Sequence, residues 1–133
     1  SLLNYGYTVL RAATARQIIA SGLHPGLALH HSNALNPMRL VDDIMEPFRP
    51  YIDLTVYHLV QTGDTTLTPQ IKRHLVHSLY RDLPSAYGIT PLMGCITRLC
   101  QSLAQVYCGE TTQLELPKTC TPLELTGFIY PAS

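Results

Sequence analysis

The chain has 133 residues, of which 46% are hydrophobic and 14% charged, enough to build one globular body with a buried core and too apolar for a disordered tail. Nine basic residues balance nine acidic ones. The overall basic surplus of many nucleic-acid binders is therefore absent, any phosphate contact must come from local patches, and no apolar run reaches the length of a membrane span.

From Leu2 to Ser21 the spacing predicts one helix. Tyr7, Leu10, Thr14, Ile18 and Ser21 recur at three- and four-residue intervals, Ala12, Ala13 and Ala15 are strong helix formers, and Gly22 followed by Pro25 supplies the stop. Arg11 and Arg16 lie on this helix, either as solvating charges or as phosphate contacts. The apolar run Gly26 to His31 lacks a long helical period and is expected to be an extended segment or a single turn; in an extended chain His30 and His31 point to different sides.

Asn36-Pro37 opens a second helix by capping and first-position chemistry. On it Asp43 and Glu46 stand three residues apart and Asp42 and Glu46 four apart, so either pair can share a face, while Leu40, Ile44 and Phe48 take the packed side. Neighbouring carboxylates repel. A divalent cation, a nearby arginine or water can compensate them, and an oxygen-rich site with one imidazole suits Mg2+ or Mn2+ better than a structural zinc. The alternative is a solvated acidic turn. Pro47 and Pro50 predict a kink near Glu46. Arg49 is placed either to balance the acids or to hold a phosphate. Ile52, Val56, Leu59 and Val60 continue the apolar face to Gln61.

Thr62 to Thr66 reads as a turn-rich linker, and Thr68-Pro69 restarts a helix carrying Ile71, Leu75, Leu79 and Leu83 until Pro84 closes it. Lys72, Arg73, His77 and Arg81 make its outer face the one basic stripe, either solvated or able to follow a DNA backbone. Thr90-Pro91 opens a last helix to Cys108, with an apolar stripe from Leu92 to Tyr107. The four cysteines, Cys95, Cys100, Cys108 and Cys120, fit no zinc ribbon and read as reduced thiols of a cytoplasmic protein. The fold expected is all-α, with four or five main helices over residues 1–110 and an irregular tail, 111–133, packed on them.

Leu3-Asn4-Tyr5-Gly6-Tyr7, Gly22-Leu23-His24-Pro25, His31-Ser32-Asn33 and Asp42 to Pro50 together resemble, in order and spacing, the C-terminal helical domain of the CRISPR-associated integrase, the catalytic subunit of the spacer-acquisition complex, in its type II form. By that resemblance His31 and Glu46 match metal ligands, and Asp43 matches a second acid used near the metal in some branches. The family's first ligand, a glutamate on a helix before the Asn4 segment, has no counterpart here, since Glu46 is the first glutamate. The chain is therefore expected to be a fragment, without the family's N-terminal β domain and inactive alone.

What the resemblance implies for the parent is a prokaryotic, Mg2+- or Mn2+-dependent DNA endonuclease and integrase of antiviral defence. A 3'-hydroxyl of a prespacer duplex attacks a phosphodiester of the CRISPR repeat, with His31, Asp43 and Glu46 at the metal and Arg49, Arg11, Lys72 and Arg73 toward DNA. The implied partners are double-stranded DNA, the small second subunit of the adaptation complex and a second copy of the full-length protein. Two alternatives remain: a non-catalytic DNA-binding or assembly module, and an unrelated metal hydrolase completed by Asp42 and His30.

Overall fold

The computed structural model describes residues 1–23, 38–85 and 88–107. Among these described residues are five α-helices: α1 (Leu2–Ala20), α2 (Arg39–Met45), α3 (Arg49–Gln61), α4 (Pro69–His77) and α5 (Leu92–Tyr107). Short 3-10 turns at Glu46–Phe48 and Ser78–Tyr80 extend α2 and α4. The fold is all-α, with one small hairpin between α4 and α5. The Gly26 to His31 run with His30 and His31, the Asn36-Pro37 helix opening, Cys108, Cys120 and the tail expected over 111–133 lie outside the described residues.

Helix α1 is the central element and packs against each of the other four. Ser1 caps its start by accepting from the Asn4 amide at 3.2 Å. At its end Gly22, with φ 83°, takes the left-handed conformation that lets its amide reach the Ile19 carbonyl and the Leu23 amide reach that of Ile18, the paired bonds of a Schellman motif. Helix α3 ends in the same way at Gly63, φ 87°, with bonds from Gly63 to Val60 and from Asp64 to Leu59. Leu10, Thr14 and Ile18 are fully buried on the predicted face of α1. Thr14 is tolerated there because its hydroxyl donates to the Leu10 carbonyl at 2.8 Å.

The expected proline kink is a change of helix type. Pro47 enters the 3-10 turn, Pro50 occupies the first turn of α3, and the chain continues through the junction with Leu40, Ile44, Phe48 and Ile52 all buried. Thr68 caps α4 by accepting from the Ile71 amide at 3.2 Å, with Pro69 following. Beyond Tyr80 the structure departs from the sequence reading. Leu83 and Pro84 do not close a helix but lie in a strand, Asp82–Ser85 (β1), paired antiparallel with Gly88–Pro91 (β2), in the register Asp82 to Pro91 and Ser85 to Gly88. A two-stranded ribbon leaves each strand an open edge, where a proline lacking its N–H is accommodated. Helix α5 accordingly starts at Leu92.

Leu92, Cys95, Ile96, Leu99, Cys100 and Leu103 form the buried side of α5. Cys95 and Cys100 are buried, reduced thiols, and burial pushes the Cys100 pKa up to about 11, which keeps it protonated and unreactive at neutral pH. Among the described residues no helix is long and apolar enough to cross a membrane.

Gly6 marks a close approach of α1 to α3: a Cβ there would stand 2.7 Å from Ile52 Cγ2. Gly6→Ala is expected to destabilise the fold by about 1 kcal/mol, because an overpacking cost of roughly 1–3 kcal/mol exceeds the roughly 1 kcal/mol gained in helix propensity. Ile52 is β-branched and fully buried, so this methyl cannot swing aside. Urea denaturation checks it, and the loss should shrink in an Ile52→Leu background, which removes the Cγ2 methyl.

Candidate metal and nucleic-acid site

The acids and the residues that face them form a polar seam along α1, α2 and the start of α3. Asp42, Glu46, Arg49 and Asp53 follow one another at intervals of four, three and four, and the shift to 3-10 geometry at Glu46–Phe48 brings residues three apart into line. Opposite them α1 presents Tyr7 and Arg11, also four apart.

Three contacts knit the seam. Arg11 Nη2 pairs with Asp42 Oδ1 at 2.9 Å, Arg49 Nε with Glu46 Oε2 at 3.1 Å, and the Tyr7 hydroxyl donates to Asp53 Oδ1. The Arg49 guanidinium also lies 5.3 Å from the Tyr7 ring centroid, within cation–π range. The hydrogen bond to Asp53 raises the Tyr7 pKa above the ordinary phenol value, burial and the Asp53 charge add to the rise, and Arg49 opposes it. Asp42 Oδ1 and Arg49 Nε are shielded from water, whereas the Glu46 side chain is 71% exposed. Two of the three carboxylates in this seam thus hold α1 to its neighbours. Glu46 stays largely open.

Asp43 is exposed and stands three residues before Glu46, across the end of α2. This pair supplies hard, solvent-facing oxygen donors, which fit Mg2+ or Mn2+ by chemistry. They form an incomplete set: among the described residues no group of three or more His, Cys, Asp or Glu side chains is placed to hold a metal, and His31 lies outside those residues. Arg11 and Arg49 face carboxylates. Lys72 and Arg73 are exposed on α4, with Lys72 Nζ 5.7 Å from the Tyr5 ring centroid. Tyr5 and Tyr7 therefore each carry a cation from another helix, with Gly6 between them allowing the close approach. The sequence places Tyr7 in the helical period of α1 but gives no sign of its contact with Asp53, which joins positions 46 apart and carries no local signal.

A separate groove of about 420 Å³ lies between α3 and α4, lined by Thr55, His58, Thr62, Asp64, Gln70, His74 and Arg81 among others, and by neither Asp43 nor Glu46. Burial lowers the His74 pKa, the positive charges of Arg81 and His77 lower it further, and Asp64 opposes them. Below the ordinary histidine value of about 6.5 the unfolded chain therefore binds more protons than the folded one at this position. Stability is expected to fall as the pH drops through that window. His74→Gln should flatten the fall, as read from urea midpoints at about pH 7.5 and pH 5.5.

An all-α lobe with open carboxylates at a fixed helix junction is the class of structure these observations define. A family model described as CRISPR associated protein Cas1 matches residues 1–75, and the chain belongs to that family. CRISPR-associated endonuclease Cas1 of Neisseria meningitidis serogroup C (strain 8013) is 41% identical over 119 residues, 87% of this chain and 39% of that protein. CRISPR-associated endonuclease Cas1 1 of Pyrobaculum aerophilum is 40% identical over 73 residues, 55% of this chain and 24% of that protein. A solved structure of a casposase bound to integration product superposes with a TM-score of 0.71 over 98% of this chain and 38% of that one, at 23% identity, a likeness of fold. The chain thus spans well under half the length of these relatives.

Proposed function

We propose that this chain supplies the helical, ligand-bearing part of a metal-dependent DNA endonuclease and integrase that inserts spacers into a CRISPR array. The observation that carries the reading is the Glu46 carboxylate, open to solvent at a junction fixed by buried Phe48, inside the segment that the family model matches. Glu46 and His31 bind a divalent ion, Mg2+ or Mn2+, and Asp43 joins them directly or through bound water. When present, the ion supplies Lewis-acid stabilisation of charge developing on a phosphodiester. Arg49 sets how much negative charge Glu46 offers. Lys72 and Arg73 reach the DNA backbone from α4, whereas Arg11 contributes mainly by holding α1 to α2. The partners of the full-length protein are prespacer and repeat DNA, the small second subunit of the adaptation complex and a second copy of itself, in a prokaryotic cytoplasm.

These 133 residues alone are expected to be inactive, because one imidazole and one or two carboxylates leave the ion short of charge and fixed geometry. Strand transfer into a repeat-containing plasmid, compared between this chain and a polypeptide extended to the length of its relatives, tests the reading. Activity confined to the longer polypeptide supports it. DNA retention by the longer polypeptide without turnover would favour the non-catalytic assembly module instead.

A further inference from the structure

Arg49 has two carboxylates within reach along its own helix surface, Glu46 three residues before it and Asp53 four residues after it; both spacings form helical ion pairs, and the acid-first order gives Glu46 only a small advantage. Its ion pair is with Glu46. The element that takes the competing acid is Tyr7 of α1, whose hydroxyl occupies Asp53 Oδ1 while its ring lies under the guanidinium. The remaining cation of the seam, Arg11, is paired with Asp42 and competes for neither acid.

We propose that Tyr7 is a positioning residue: by occupying Asp53 with its hydroxyl and seating Arg49 over its ring, it directs Arg49 to Glu46, where the guanidinium competes with a divalent cation for the carboxylate. Tyr7 touches neither metal nor DNA in this arrangement and acts through Arg49. Loss of the hydroxyl frees Asp53 to take Arg49, which uncovers Glu46. Loss of the Asp53 charge removes that competitor and returns Arg49 to Glu46. The part of this inference that concerns the cation rests on the reading of Glu46 as a ligand; the choice of partner by Arg49 does not.

Two readouts on the 133-residue chain separate them. In NMR spectra of the Arg49 Nε–H group, identified by its loss in Arg49→Lys, Glu46→Gln should shift the signal in the wild type but hardly in Tyr7→Phe. The Tyr7→Phe/Asp53→Asn double variant should return it to the wild-type position. Titration with Mn2+, followed by water-proton relaxation, should show Tyr7→Phe binding about twofold to threefold more tightly, the scale of a partly exposed helical ion pair, and the double variant cancelling the gain. A merely structural role for Tyr7 predicts no such rescue. If Glu46→Gln shifts the Arg49 signal equally in wild type and Tyr7→Phe, the positioning role is wrong. If Glu46→Gln leaves Mn2+ binding unchanged while the NMR pattern holds, Arg49 partner choice stands and the metal reading of Glu46 falls.

Discussion

Glu46→Ala, placed in a polypeptide extended to the relatives' length, is expected to lower metal-dependent strand transfer by on the order of a thousandfold or more. A divalent ion contributes several kcal/mol of charge stabilisation at a reacting phosphodiester, and each 1.4 kcal/mol or so is about tenfold in rate. Removing a carboxylate ligand forfeits most of that. The Glu46 side chain is largely exposed and its ion pair with Arg49 lies near the surface, so the same substitution should change folding stability by no more than about 1 kcal/mol. A large loss of rate without loss of stability is the signature expected. Asp43→Ala, at an exposed position in the same turn, should cost less, consistent with a ligand acting directly or through water. Rates under single-turnover conditions, together with urea midpoints for each variant, separate the two effects.

Phe48→Ala is expected to destabilise the fold by about 3–5 kcal/mol, the usual cost of emptying a fully buried aromatic site. Phe48 is completely inaccessible and sits in the 3-10 turn between Glu46 and Arg49. It therefore anchors the junction of α2 and α3 from below, while Glu46, two residues earlier, is exposed. Against a total stability of roughly 5–15 kcal/mol for a domain, this loss would leave a substantial unfolded population under mild heating. Phe48→Leu, which keeps most of the apolar volume, should cost clearly less. Urea denaturation followed by circular dichroism measures both, and a Phe48→Ala loss below about 1 kcal/mol would show that the junction is anchored elsewhere.

Local chemistry made most of the helices readable in advance. Alanine-rich periodicity with a following glycine located α1 and its end, the Thr68-Pro69 cap located α4, and the apolar stripe of α5 is buried from Leu92 to Leu103 as its spacing requires. The hairpin at Asp82–Pro91 was not readable. Leu83 extends the spacing of Ile71, Leu75 and Leu79, and periodicity alone does not reveal that the helix tightens into a 3-10 turn at Ser78–Tyr80 and then gives way to a strand. In the candidate site, the Arg49–Glu46 pair follows from a three-residue separation, but Arg11–Asp42 and Tyr7–Asp53 join α1 to elements more than thirty residues away. Such contacts depend on how the helices pack. The roles of Tyr5, Gly6 and Tyr7 likewise emerge only once α1 is set against α3 and α4: a small residue at a point of close approach, flanked by two rings that each carry a cation.

The proposed contribution of His31 and Glu46 to a divalent metal site is tested by anomalous diffraction at the manganese edge from crystals of the extended polypeptide grown with Mn2+. A peak is expected within coordination distance of both the Glu46 carboxylate and the His31 imidazole, with Asp43 bound directly or through water. A manganese peak held by other residues, with Glu46 still closed on Arg49, would contradict it.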